Sequence, residues 1–169
     1  MARFCSILFF LINLPGIAAA QDEFTVKAAF LLKFPAFIEW SKSGKVLDSK
    51  VFKIGIFNNP AFANIAKSIL KNKEINEQVV QVDYLPKIEV QEKFNVIYFS
   101  HNPGGNSINS EKYNGVLTIG EGERFIDDGG ILAFTIEDSK IRFFISNSNA
   151  IKAGLKISSK LLQLARKVY

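Results

Sequence analysis

Apolar residues dominate the first twenty positions of the chain, with one cation near the start and small residues at the end. Arg3 precedes an apolar run that continues to Leu14, Pro15 and Gly16 interrupt the run, and three alanines close the segment at residues 18–20. This order is typical of a secretory signal peptide. The run is also shorter than the ~20 apolar residues of a membrane-spanning helix. We predict a cleavable signal peptide over residues 1–20, cut near Ala20, and a mature chain over residues 21–169; a buried N-terminal helix is the alternative.

After the leader, apolar residues recur at spacings of three or four positions, at Val26, Phe30, Phe34 and Phe37. This spacing places them on one face of a helix, with Lys27 and Glu39 on other faces. Pro35 ends or kinks the helix because proline lacks a backbone donor. Packing of the stripe against a sheet is the favoured interpretation, and a partner-binding face that includes Phe34, Phe37 and Trp40 is the alternative.

Further along the chain, short apolar runs alternate with helical patterns. We predict strands over residues 51–57, 79–85, 94–100 and 115–120, a helix over residues 61–71, and an antiparallel hairpin of residues 131–136 and 141–145. The last apolar repeats, over residues 151–168, predict one long closing helix with a cap among residues 146–149. Together these elements indicate a single α/β domain over residues 21–169. Its sheet is expected to be mostly parallel and twisted, with helices on both faces and an antiparallel C-terminal hairpin.

Composition and charge narrow the class of protein. Cys5, the only cysteine of the chain, lies in the predicted leader, so the mature chain would have none and no disulfide could stabilise it. The formal net charge of +5 falls to +4 without Arg3, since the leader holds no acidic residue. A basic exported protein meets anionic membrane surfaces and polysaccharides more often than nucleic acid, and the spread of the basic residues along the chain weakens even this preference. We predict no nucleic-acid partner and no insertion of the mature chain into a membrane.

Few side chains suit catalysis or metal binding. His101 is the only histidine, whereas a zinc site takes three or four histidine or cysteine ligands. The acidic residues between positions 121 and 128 lack the spacing of a calcium loop, so we expect a solvated loop there. The glycine pairs at 104–105 and 129–130 do not fit a nucleotide-binding loop, and the hydroxyls of Ser158 and Ser159 are expected in mid-helix. We predict no catalytic residue, no metal and no cofactor, and therefore no enzyme.

One polar cluster is a candidate for ligand binding. Asn58 and Asn59 follow one predicted strand, and Ser100 and His101 end another. Ligands of open α/β sheets bind at the carboxyl ends of strands. A surface loop is the favoured interpretation of His101, and a small-molecule site formed with Asn58 and Asn59 is the alternative.

Several sequence blocks occur in a characteristic order: TVKAAFLLKF at 25–34, FIEW at 37–40, LTIG at 117–120, GGI at 129–131, IRF at 141–143 and AGLKISSKLL at 153–162. In this order they resemble the YfiR-like family of periplasmic regulatory proteins. The resemblance spans essentially all of the mature chain. It implies a periplasmic regulator, not an enzyme, similar to a soluble inhibitor that holds down an inner-membrane diguanylate cyclase through its periplasmic sensor domain.

The same resemblance sets the expected partners. An inner-membrane sensor, of the diguanylate cyclase class or a related receptor, would be bound by protein contact, and cyclic di-GMP signalling and biofilm formation would respond indirectly. Some relatives carry paired cysteines that could respond to redox state, which this mature chain would lack. A homodimer is compatible with the sequence. A periplasmic small-molecule-binding protein is the alternative function.

Overall fold

The computed structural model describes residues 15–40, 50–87, 94–101, 103, 108 and 112–169, with side chains from residue 22 onward. Most of the predicted leader therefore lies outside the described residues. Residues 15–20 belong to the first helix, α1 (Pro15–Lys33), so the predicted cleavage junction falls within this helix. No helix among the residues described is long and apolar enough to span a membrane.

The elements after α1 alternate between strands and short helices. A 3₁₀ turn (Phe34–Phe37) follows α1 at Pro35, as the sequence predicts. The described elements that come next are β1 (Ile38–Trp40), β2 (Val51–Phe57), α2 (Pro60–Leu70), β3 (Glu74–Ile75), β4 (Gln78–Leu85), β5 (Val96–Phe99), β6 (Leu117–Glu121), α3 (Gly122–Asp127), β7 (Leu132–Glu137), β8 (Lys140–Ile145), α4 (Asn147–Lys152), β9 (Leu155–Ile157), α5 (Ser159–Leu164) and β10 (Lys167–Val168).

Eight of these strands form one sheet in the order β10-β8-β7-β6-β5-β2-β4-β3. The five neighbouring strands β4, β2, β5, β6 and β7 run parallel. The pairing of β8 with β7 is antiparallel, which confirms the predicted hairpin. Strands β1 and β9 form a separate antiparallel pair. The predicted α/β class, with a mostly parallel sheet, is confirmed.

The core occupies both faces of the sheet. Along β5, Val96 and Tyr98 belong to one cluster of buried residues, whereas Ile97 and Phe99 belong to a second. Because side chains of a strand alternate between its faces, the two clusters lie on opposite sides of the sheet. Helices α1 and α2 contribute to the first cluster and α3 to the second. Helices therefore cover both faces, as predicted.

The prediction of one long closing helix is wrong. The segment forms α4, β9, α5 and β10 in succession. Gly154 follows α4 with φ +70°, a left-handed conformation that ends a helix. Ser158 is not a mid-helix hydroxyl, because its Oγ accepts a hydrogen bond from the Leu161 amide at 3.4 Å and caps α5. Between the two helices, Leu155 and Ile157 pair with β1.

The expectation of a solvated acidic loop after β6 is also wrong. Residues 122–127 form helix α3, and its Phe125 and Ile126 side chains are buried in the second cluster. The short spacing between the two apolar residues gave too little periodicity to indicate a helix. Glu123 and Asp127 on α3 are exposed, whereas Glu121, which precedes the helix, is only 30% exposed.

Candidate functional site

The predicted aromatic face is divided between the core and a surface groove. Phe34 is 1% exposed, and its ring centroid lies 5.1 Å from that of Phe143 and 5.9 Å from that of Phe134. Phe34 therefore packs against the sheet, where a partner protein cannot contact its side chain. Phe37 is half-buried against the same core. Trp40 is half-buried as well, but it borders an open groove.

This groove, which we call the Trp40 groove, has a volume of about 620 Å³ and includes Trp40, Ile151, Leu155, Ile157 and Leu162 among its lining residues. Strand pairing holds the tryptophan in place, since Trp40 is in register with Leu155 across β1 and β9. Its ring also meets that of Phe52 at right angles, with centroids 5.8 Å apart. Among the described residues its buried Nε1 has no hydrogen-bond partner.

The rim of the Trp40 groove combines apolar exposure with charge. Ile151 is 64% exposed and lines the groove together with Trp40 and Leu162, so the apolar surface there is continuous. Beside it, Lys156 Nζ donates to Glu39 Oε2 at 3.0 Å, and both side chains are more than two-thirds exposed. An apolar centre with a polar rim is the usual composition of a protein–protein contact surface.

The structure brings Asn58 and His101 together at the carboxyl ends of β2 and β5. Asn58 Nδ2 lies 3.1 Å from His101 Nε2, and the His101 ring centroid is 5.7 Å from that of Phe57. Strand β2 is flanked by β4 on one side and β5 on the other, so the chain changes direction across the sheet at this point. Such a switch point is the usual ligand crevice of an open α/β sheet.

The other two polar residues of this cluster serve the backbone. Asn59 Oδ1 accepts from the Phe62 amide at 2.9 Å and caps α2. Ser100 Oγ donates to the Phe57 carbonyl at 3.0 Å. Asn58 and His101 are exposed and remain able to bind a small polar molecule by hydrogen bonds. The pair carries no fixed charge with which to hold an ionic ligand.

A buried charged network, missed by the helical pattern, joins α1 to the sheet. Lys27, expected away from the apolar face, is only 3% exposed. Its Nζ lies 2.5 Å from Glu23 Oε1 and 2.8 Å from Glu121 Oε1, and it sits 5.7 Å from the Phe134 ring centroid. Tyr98 donates its hydroxyl to the same Glu121 oxygen. The only signal in the sequence for a special role of Lys27 was its place in the TVKAAFLLKF block at residues 25–34.

Burial governs the protonation of this network. Burial raises the pKa of the Glu121 carboxyl, and the positive charge of Lys27 acts against that rise. Burial, followed by the charge of Glu121, raises the pKa of the Tyr98 hydroxyl above its usual range, so Tyr98 stays a neutral donor. Because these four side chains bind one another across α1 and the sheet, the network anchors α1.

Comparison with protein families gives a match over most of the chain. A family model described as YfiR/HmsC-like matches residues 24–166, which is nearly the whole described domain. No curated protein sequence matches the chain. Within the described part of the chain, no group of three or more histidine, cysteine, aspartate or glutamate side chains is placed to hold a metal ion.

Proposed function

Because the chain belongs to the YfiR/HmsC-like family, we propose that it is a periplasmic regulatory protein that modulates an inner-membrane sensor by protein contact. The sensor class that the resemblance implies is a diguanylate cyclase or a related signalling receptor. Cyclic di-GMP levels and biofilm formation would then change as a consequence of binding. The match over residues 24–166 carries this proposal, since it covers the Trp40 groove and the buried residues of both core clusters.

The surface we assign to the sensor is the Trp40 groove. Large aromatic side chains anchored in a fixed position commonly dominate the energy of protein–protein interfaces. Trp40 is fixed by β-pairing and by Phe52, while Ile151 adds exposed apolar area beside it. The exposed Glu39–Lys156 pair would lie at the rim and contribute orientation more than affinity.

Crosslinking in the native host tests this assignment. A tagged chain should recover a membrane-anchored sensor after crosslinking of the periplasm to the inner membrane. Ile151→Lys should reduce this recovery strongly, because a charge would replace an apolar side chain that the sensor is proposed to bury on binding. Val79→Lys is the matched control, since Val79 is 49% exposed on β4, in a different part of the fold. Equal recovery with both variants would contradict the proposed surface, and absence of any membrane receptor would contradict the function.

Export is part of the same proposal and has its own test. We expect the secreted protein to begin at Gln21 and to be found in the periplasmic fraction. Mass spectrometry of the purified protein gives the N-terminal residue directly. A full-length protein with its leader intact, found in the cytosol, would rule out a periplasmic regulator.

A second candidate function is binding of a small molecule in the periplasm. The Asn58–His101 pair at the switch point of the sheet favours it. A library of small polar metabolites should then raise the melting temperature of the protein, and the shift should disappear in His101→Ala. A flat response across the library would dismiss this function without affecting the sensor-binding proposal.

A further inference from the structure

Strand β4 is only partly covered by its outer neighbour in the sheet. β3 pairs with Gln78 and Val79 alone, at the start of β4, although β4 continues to Leu85. On the inner side, β2 pairs with β4 all the way from Val79 to Leu85. Among the described residues, no strand pairs with the outer side of β4 from Gln81 onward. The second half of β4 is therefore an open edge of the sheet.

The backbone groups that face this open edge belong to Val82 and Tyr84. The Val79 amide donates to the residue that precedes β2, whereas the Val80 amide donates to the Lys73 carbonyl on the outer side. Backbone groups of alternate residues in a strand point the same way, so those of Val82 and Tyr84 also point outward. These N–H and C=O groups have no hydrogen-bond partner within the described part of the chain. A strand that added to this edge would supply partners for all of them.

The opposite edge of the sheet is protected, and the second half of β4 is not. At that opposite edge β10 lies along β8, where the Arg166 amide donates to the Phe143 carbonyl at 2.8 Å, and the basic residues Lys140 and Arg142 of β8 are exposed. Lysine and proline at an edge commonly prevent the addition of a further strand. Residues 81–85 contain no lysine, arginine or proline. This part of β4 is therefore free to pair.

The side chain between the two outward-facing residues favours one kind of added strand. Asp83 is partly exposed, and its Oδ2 accepts from the Gln81 side-chain amide at 2.9 Å. It takes part in none of the ion pairs between described residues. In an antiparallel addition, the residue opposite Asp83 belongs to a non-hydrogen-bonded pair, in which the two side chains lie closest together. A lysine or arginine in that position would compensate the charge of Asp83.

We propose that the open half of β4 binds an extended segment of a partner protein, which adds as an antiparallel strand and places a basic residue opposite Asp83. Strand addition of this kind takes its affinity from backbone hydrogen bonds and its specificity from alternate side chains. A second copy of the chain fits poorly, because a two-fold pairing through Val82 and Tyr84 would put Asp83 opposite the same residue of the copy. This inference goes beyond the proposed function, since no residue of β4 lines the Trp40 groove.

Hydrogen exchange followed by NMR tests the edge itself. The probe is a capped peptide of about eight residues, with alternating threonine and valine and a central lysine. In the protein alone, the Val82 and Tyr84 amides should exchange fast, whereas the Gln81 and Asp83 amides, which face β2, should be protected. The peptide at its highest soluble concentration should slow exchange at Val82 and Tyr84 about tenfold or more. Unchanged exchange would overturn the proposal, as would protection that rises with protein concentration alone, which would indicate a second copy at the edge.

A proline at the edge gives a matched pair of variants. Tyr84→Pro removes the outward donor and none of the bonds to β2, because proline is tolerated where its nitrogen faces away from the neighbouring strand. Tyr84→Thr loses the same ring and keeps the donor. Tyr84→Pro should bind the lysine peptide about tenfold more weakly than Tyr84→Thr. N-methylation of the bonding residues of the peptide should weaken binding to the unaltered protein as well. Equal affinity within either comparison would refute strand addition.

A charge exchange tests the residue opposite Asp83. At low salt the wild type should prefer the lysine peptide to the same peptide with a central glutamate by about three- to tenfold, and Asp83→Lys should reverse this preference. Each protein is compared with both peptides, so a general loss of stability cannot imitate a reversal. An unchanged preference in Asp83→Lys would overturn the proposed basic partner. Recovery of the sensor by crosslinking is measured separately, so a failure here leaves the proposed function standing.

Discussion

Replacing Lys27 by methionine should lower the free energy of unfolding more at neutral pH than in acid. Methionine preserves most of the apolar stem and leaves no large cavity, so the change removes chiefly the charge. The lost contacts are those of Nζ with Glu23 and Glu121. The two carboxylates would then face each other and Tyr98 without a cation between them.

The size of the effect follows from how deeply the carboxylates are buried. Removing one member of a fully buried ion pair costs about 3–5 kcal/mol, because the remaining charge has no compensation. Here the Glu23 and Glu121 side chains are 32% and 30% exposed, so water screens them in part. We therefore expect a loss of about 2 kcal/mol at pH 7.

The pH dependence follows from the raised pKa of Glu121. A folded-state pKa above the unfolded value means that the folded protein binds the proton more tightly. The stability contributed by this group is therefore complete below the unfolded carboxyl pKa of about 4.3 and is lost as the pH rises through the folded pKa. Without Lys27 the pKa rises further, so the variant loses more stability over a wider window than the wild type does.

Urea titrations between pH 4 and pH 7.5 can measure this difference, with Trp40 as the fluorescent probe because it is the only tryptophan. The deficit of Lys27→Met should grow with pH across this range. In a Glu121→Gln background the deficit should be smaller and nearly independent of pH. A deficit that is constant with pH, or largest in acid, would refute the assignment of this network as an ionised anchor.

Four further substitutions, at three positions, test the local backbone structure of the fold. Gly120→Ala should lower the free energy of unfolding by about 1–3 kcal/mol, because the added Cβ would lie 2.4 Å from the buried Phe125 ring. Gly122→Ala should lower it by about 1 kcal/mol through backbone strain alone, since Gly122 has φ +71° and no atom lies within 4 Å of the added Cβ. Thermal unfolding of the two variants compares the cost of overpacking with the cost of backbone strain. Ser158→Ala should lower the free energy of unfolding by about 1 kcal/mol, because it removes the N-cap of α5, whereas Ser158→Asp should keep the cap and the stability. Equal melting temperatures for these two variants would contradict the capping role.

The parallel part of the fold could be predicted because its signals are local. Strand β2 is a short apolar run with turn residues directly after it, and its bounds agree with the sequence pattern. The carboxyl ends of parallel strands meet at one edge of the sheet, so Asn58 and His101 could be expected near each other. That they share a hydrogen bond depends on side-chain directions, which the pattern does not contain.

The C-terminal region could not be predicted from periodicity. Apolar residues at Ile151, Leu155 and Leu162 fit one helix as well as they fit two short helices and a strand between them. The choice is made by tertiary contact, because Leu155 pairs with Trp40 more than a hundred positions away in the chain. Gly154 was the local signal, and its left-handed conformation became decisive only with that pairing.

The burial of Lys27 is non-local for the same reason. A helical pattern places lysine on the solvent face. Here Lys27 is buried instead, because its partner Glu121, 94 residues away in sequence, compensates its charge. Ala28 and Leu31 lie on the buried side of α1 beside Lys27, whereas Val26 is 43% exposed. The exposure of Val26 and the burial of Lys27 therefore have one cause, which is the side of α1 that faces the sheet.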